Sequence, residues 1–152
     1  MKRLPVTEED RRSVKDWYDR WSGYVADVNF KAARPTFAED AIAFGSRVEV
    51  MTSQAELEAV QWRMVWPSIE DYRFDTATLE VIMSPDRLMA MGACIFRSTG
   101  IHADGGKFER DGRSTVTLMR PSVGAAWICT HSHISLKPGT PGMSHGKRPE
   151  KV

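Results

Sequence analysis

The order of elements in this chain predicts an α+β fold, in which a long first helix is wrapped by a curved, mixed or antiparallel sheet to form a cone. Three observations carry that expectation. Val14, Trp17, Tyr18, Trp21, Tyr24, Val25 and Val28 recur at i, i+3, i+4 and i+7 spacing, one wide apolar helix face. From Ile69 onward the pattern is that of strands broken by turn residues, so helices precede a sheet. Within 70–83 the apolar parity changes, Tyr72 and Phe74 on even positions, Leu79, Val81 and Met83 on odd ones. Such a switch marks a β-bulge, which bends a strand. A bent sheet over a helix leaves a mouth that suits a small-molecule pocket.

The elements come in this order. Thr7 is a natural N-cap, and Glu8, Glu9 and Asp10 suit the first turn of a helix running to about Ala26. Residues 29–39 suggest a shorter helical piece with Pro35 in its first turn or at its end. Residues 41–45 and 48–51 read as short strands. Ser53 with Glu56 forms a capping box for a helix that Pro67 closes, its buried face Leu57, Val60, Met64 and Val65, with Trp62 and Trp66 one turn apart. Strands are expected at 70–83, 87–102, 107–120 and 127–136, with Ala103-Asp104-Gly105-Gly106 as a hairpin turn. Glu109, Arg110 and Asp111 read as a solvated charge run.

One domain, 1–137, accounts for most of the 152 residues, and the Pro/Gly/basic stretch 138–152 reads as a flexible tail. Lys plus Arg is 21 against 20 for Asp plus Glu, which gives no basic surface for nucleic acid. No apolar run approaches the roughly 20 residues of a membrane span. Met1–Arg12 lacks the apolar core of a secretion signal, and Cys94 and Cys129 read as reduced thiols, which points to the cytoplasm. Outward apolar residues such as Met89, Met91 and Ile95 suggest a homodimer packed through the sheet.

The last two strands, 112–135, hold the most unusual side chains. Trp127, Cys129, His131, His133 and Ser135 share one parity and would line one face of a regular strand. Several strings here resemble the nuclear transport factor 2-like superfamily, and its SnoaL-like branch in particular. They are Trp17-Tyr18-Asp19-Arg20-Trp21, Phe37-Ala38-Glu39-Asp40-Ala41, Phe44-Gly45, Arg97-Ser98-Thr99-Gly100, Gly112-Arg113-Ser114-Thr115, and the closing Trp127-x-x-x-His131-x-His133-x-Ser135. The closing strand is also similar to that of the calcium/calmodulin-dependent kinase association domain. The resemblance spans about residues 7–137. It implies either a cofactor-independent isomerase, dehydratase or cyclase acting by proton transfer on a small, largely apolar, oxygen-bearing substrate, or a non-catalytic binding or dimerisation domain.

Under the enzyme reading His131 and His133 are acid/base candidates, because imidazole titrates near neutral pH. One of them could equally be structural, bonded to a backbone carbonyl or to Asp40. The resemblance implies Asp40 as orienter or base, with an edge cap or salt bridge as its other role. Arg113 would stabilise an oxyanion if it faces inward. In the register that opposes Arg113 to Ser135, Thr115 faces His133 and Thr117 faces His131; one residue of slip would turn all three away. Trp17, Tyr18, Trp21, Tyr24, Trp62, Phe96, Thr115 and Cys129 are the candidate pocket walls, the aromatics being open to a plain core role as well. Cys129, His131 and His133 lack a fourth ligand at metal-site spacing, so no metal is assigned.

Overall fold

The structure is a computed structural model that describes residues 1–141 and 146–148. Helix α1 spans Glu8–Ala26 and is capped as expected, the Thr7 hydroxyl accepting from the Asp10 amide. Its buried side is Asp10, Val14, Trp17, Tyr18, Trp21 and Val25. Helix α2 is a single turn, Phe30–Ala33, continued by a 3-10 turn that holds Pro35 near its start. Strand β1 then begins at Phe37 and runs to Phe44, so the helical assignment of residues 37–39 is corrected. The expected strand at 48–51 is absent; its one ladder contact is the isolated bridge between Ala43 and Met51.

The second helical stretch starts at α3, Gln54–Leu57, and ends at α4, Arg63–Val65, followed by a 3-10 turn through Ser68. Between α3 and α4, Glu58–Trp62 is a π-helical segment. Its wider turn rotates the residues beyond it, so the buried side becomes Leu57, Glu58, Gln61, Trp62, Val65 and Trp66. Val60 and Met64, expected inside, are 37% and 49% exposed. Trp62 and Trp66 stack at 4.8 Å.

The sheet contains β2 (Ile69–Met83), β3 (Met89–Ile101), β4 (Lys107–Glu109), β5 (Gly112–Met119) and β6 (Ile128–Leu136) in the spatial order β1-β6-β5-β3-β2, with β4 beside β3. Strand β1 pairs with β6 in parallel and the other pairs are antiparallel. The bulge expected in β2 lies between Asp75 and Glu80, where the Thr78 hydroxyl bonds the Asp75 carbonyl and receives the Ile95 amide. A second irregularity lies between Glu70 and Arg73, with Asp71 at φ 53°. Together they curl the sheet around α1, whose Tyr18 hydroxyl donates to Gly92 O at 2.9 Å. Gly92 is required there, because a Cβ would stand 2.7 Å from the Tyr18 ring.

The charged run at 109–111 is not solvated throughout. Strands β4 and β5 break at Arg110 and Asp111, which are buried. Part of the tail expected at 138–152, residues 142–145 and 149–152, lies outside the described residues. Residues 146–148 lie against the body: Gly146 N donates to Ile101 O, and Arg148 bonds the carbonyls of Ala26, Pro67 and Ile69. No described helix is long and apolar enough to cross a membrane.

Candidate functional site

An enclosed cavity lies between the C-terminal half of α1, the α3–α4 stretch and the inner face of the sheet. Trp21, Trp62, Trp66 and Tyr72 supply aromatic walls, and Ser132 and Ile134 reach it from β6. Its free volume is about 30 Å³, room for about two waters when one needs ~10–15 Å³.

The polar part is built around Arg110. Two bonds with Ser98 hold its main chain: Arg110 N donates to Ser98 O, and the Ser98 hydroxyl donates to Arg110 O. The side chain then runs inward, and only 3% of the residue is exposed. Its Nη2 donates to Ser46 Oγ at 2.9 Å, and Gln61 Nε2 donates to the same oxygen at 3.1 Å. Arg110 Nε, Trp21 Nε1 and Gln61 Oε1 are buried and have no hydrogen-bond partner among the described residues. Burial pushes the Arg110 pKa below the ordinary arginine value, and the like charge of Arg47 adds to the shift. Burial holds the Tyr72 phenol above its ordinary value, with Arg110 pulling the other way.

The histidines lie elsewhere. Strands β5 and β6 adopt the register with Arg113 opposite Ser135, Thr115 opposite His133 and Thr117 opposite His131. The next pair is Leu118 with Cys129, which leaves Thr130 as an extra residue. A bulge reverses the facing of everything beyond it. Trp127 and Cys129 are therefore buried, His131 is half-buried and His133 exposed, and Ser132 takes the inward position. The single face expected for Trp127, Cys129, His131, His133 and Ser135 is corrected to two. His131 Nδ1 lies 3.0 Å from Ile42 O, and both imidazoles meet the Phe44 ring edge-on at 5.9 and 5.3 Å.

The remaining candidates divide in the same way. Trp21 and Trp62 line the cavity. Trp17, Tyr18 and Phe96 are packed core, Phe96 stacking on Tyr72 at 5.4 Å, and Tyr24 is partly buried against that core. Asp40 is exposed on β1, Thr115 is half-buried on the outer face, and Arg113 is exposed with Nη2 3.4 Å from Leu136 O. The Cys129 thiol donates to His131 O, and burial raises its pKa. The described residues contain no group of three or more His, Cys, Asp or Glu able to hold a metal ion.

The sequence reading missed Arg110, Ser46 and Gln61. The available signal was a cation inside the stretch 107–120, expected as one strand but broken at Arg110 and Asp111, and flanking acids disguised it. One of them, Asp111, is engaged by Arg97 at 2.8 Å, so it leaves Arg110 unneutralised. Every other buried carboxylate among the described residues is likewise paired with arginine. Asp10 meets Arg87 and Arg120, and Glu58 meets Arg34 and Arg63.

No family model and no curated protein matches the sequence. Solved structures do match. A nuclear transport factor 2-like superfamily protein from Salmonella enterica superposes with a TM-score of 0.72 at 11% identity, over 90% of this chain and 96% of that one. A ketosteroid isomerase-like protein from Erwinia carotovora atroseptica gives 0.70 at 15% identity, over 86% and 98%. A calcium/calmodulin-dependent kinase II hub from S. rosetta gives 0.68 at 14% identity, over 88% and 100%. With the curved sheet wrapped on α1, these likenesses show that the chain has the nuclear transport factor 2-like fold.

Proposed function

We propose that the protein binds a small, largely apolar, oxygen-bearing molecule inside the cone and does not transfer protons to it. One observation carries this choice over an isomerase, dehydratase or cyclase. The titratable side chains lining the cavity are Arg110 and Tyr72, and neither changes charge near neutral pH. An acid/base enzyme needs a group poised near the working pH within reach of substrate. His131, His133 and Asp40 stand outside the cavity, and the buried carboxylates of Asp10 and Glu58 are held ionised by arginines. Trp62 and Trp66 provide the readout. Titration with small carbonyl compounds and carboxylates should quench their fluorescence saturably, and equally so in a variant carrying His131→Ala and His133→Ala. Absence of binding across such a panel would sink the proposal, and loss of binding in the double variant would return the site to the histidines.

A second reading concerns the outer sheet face and is compatible with the first. Ile42, Phe44, Ile82, Met89 and Met119 are each 39–48% exposed, all on sheet strands. An apolar sheet face of this kind marks a protein contact, and we propose a homodimer packed through it; the likeness to a kinase hub supports an assembling role. Light scattering at micromolar concentration should give twice the chain mass, and Phe44→Asp should halve it. A wild-type monomer would contradict this. Cys94 and Cys129, buried and unpaired, favour a reducing compartment, and we propose the cytoplasm.

A further inference from the structure

We propose that Arg110 makes the interior an anion site and that the ligand carries a carboxylate. This rests on the reading that the cone interior takes a ligand. The argument begins with the needs of a buried guanidinium. Removing a cation from water is costly unless an anion or a full set of acceptors replaces the lost hydration. Arg120, the other arginine buried to this degree, meets that requirement with Asp10. Arg110 meets it with one neutral hydroxyl, that of Ser46, while its Nε donates to nothing among the described residues.

The surroundings point to the same ligand chemistry. Trp21 Nε1 is a second unpartnered donor on the cavity wall, against one unpartnered acceptor, Gln61 Oε1, so donors and positive charge outweigh acceptors there. Arg47, on the segment that carries Ser46, adds a further cation close enough to act on Arg110. A guanidinium fork matches the two oxygens of a carboxylate. The free volume of about 30 Å³ admits two oxygens and little more. The stacked Trp62 and Trp66 rings suit an apolar body behind the charged head. Admission of that body requires the wall to yield, and Gly45–Val50, which carries Ser46 between β1 and α3 without regular secondary structure, is where it can.

The test compares phenylacetate with phenylacetamide, which match in shape and differ in charge, by tryptophan fluorescence and calorimetry. Phenylacetate should bind about tenfold or more tightly than the amide. Arg110→Met should abolish the preference while the amide still binds, and Arg110→Lys should restore part of it. Saturable binding of both probes with equal affinity would overturn the anion site and leave the cavity reading standing. Failure of both probes, and of propionate, would overturn the cavity reading itself. Tighter binding of inorganic phosphate than of propionate would overturn the carboxylate assignment. The comparison of the two probes on the wild-type protein needs no variant, so a substitution that fails to fold does not protect the proposal.

Discussion

Arg120 and Arg110 are buried almost equally, at 6% and 3% exposure, and their surroundings are opposite. Arg120 Nη2 meets the Asp10 carboxylate at 2.7 Å, its Nε donates to Arg87 O, and its guanidinium lies 4.1 Å over the Trp127 ring. Arg87 and the Thr7 hydroxyl also engage Asp10. The cluster ties the start of α1 to the ends of β5 and β6, and its charges are closed within the protein. Arg110 is held in place by its backbone and left open at its head. A cation that finishes its bonding inside the chain serves the fold, whereas one left partly unbonded in a cavity serves the molecule that enters it.

The largest test of this contrast is Asp10→Ala. It leaves Arg120 buried without an anion, and a broken buried pair costs about 3–5 kcal/mol; urea denaturation should show that loss. The wild-type protein should reveal the same contact in acid. Folding lowers the Asp10 pKa from 3.8 to about 2, with the Arg87 bond as the leading cause. A carboxylate whose pKa is depressed on folding stabilises fully above its unfolded pKa and loses that effect as pH falls toward about 2. Asp10→Asn should therefore have a flatter acid limb. The smaller and more discriminating test is Arg110→Met. Relief of a poorly compensated buried charge should raise stability by about 1 kcal/mol in the absence of ligand. A loss of similar size would place Arg110 with Arg120 as part of the scaffold and break the comparison.

Much of the fold was legible because periodicity reports packing directly. The face of α1, the capping box at Ser53 and the bulge in β2 each leave a local mark in the order of apolar residues. The site was harder to read, for two physical reasons. Facing along β6 depends on whether one residue, Thr130, is paired or skipped, and that is decided by the neighbouring strand. The π-helical segment at Glu58–Trp62 likewise adds a phase shift that a 3.6-residue pattern does not contain, which is why Val60 and Met64 were expected inside. Arg110 was hidden by composition. Between Glu109 and Asp111 it has the look of a surface ion cluster, until Arg97 is seen to take Asp111.

The contact made by Arg148 has a practical consequence for handling the protein. Helix α1 carries no basic residue in its own last turn, and Arg148 supplies one from 122 positions away, at Ala26 O. The same residue binds the carbonyls of Pro67 and Ile69, next to the Trp66 wall. Trimming back to the closing strand for crystallisation would remove the Arg148 bonds to three carbonyls beside the cavity. An affinity tag belongs at the amino terminus, ahead of α1, with the stretch through Arg148 kept intact.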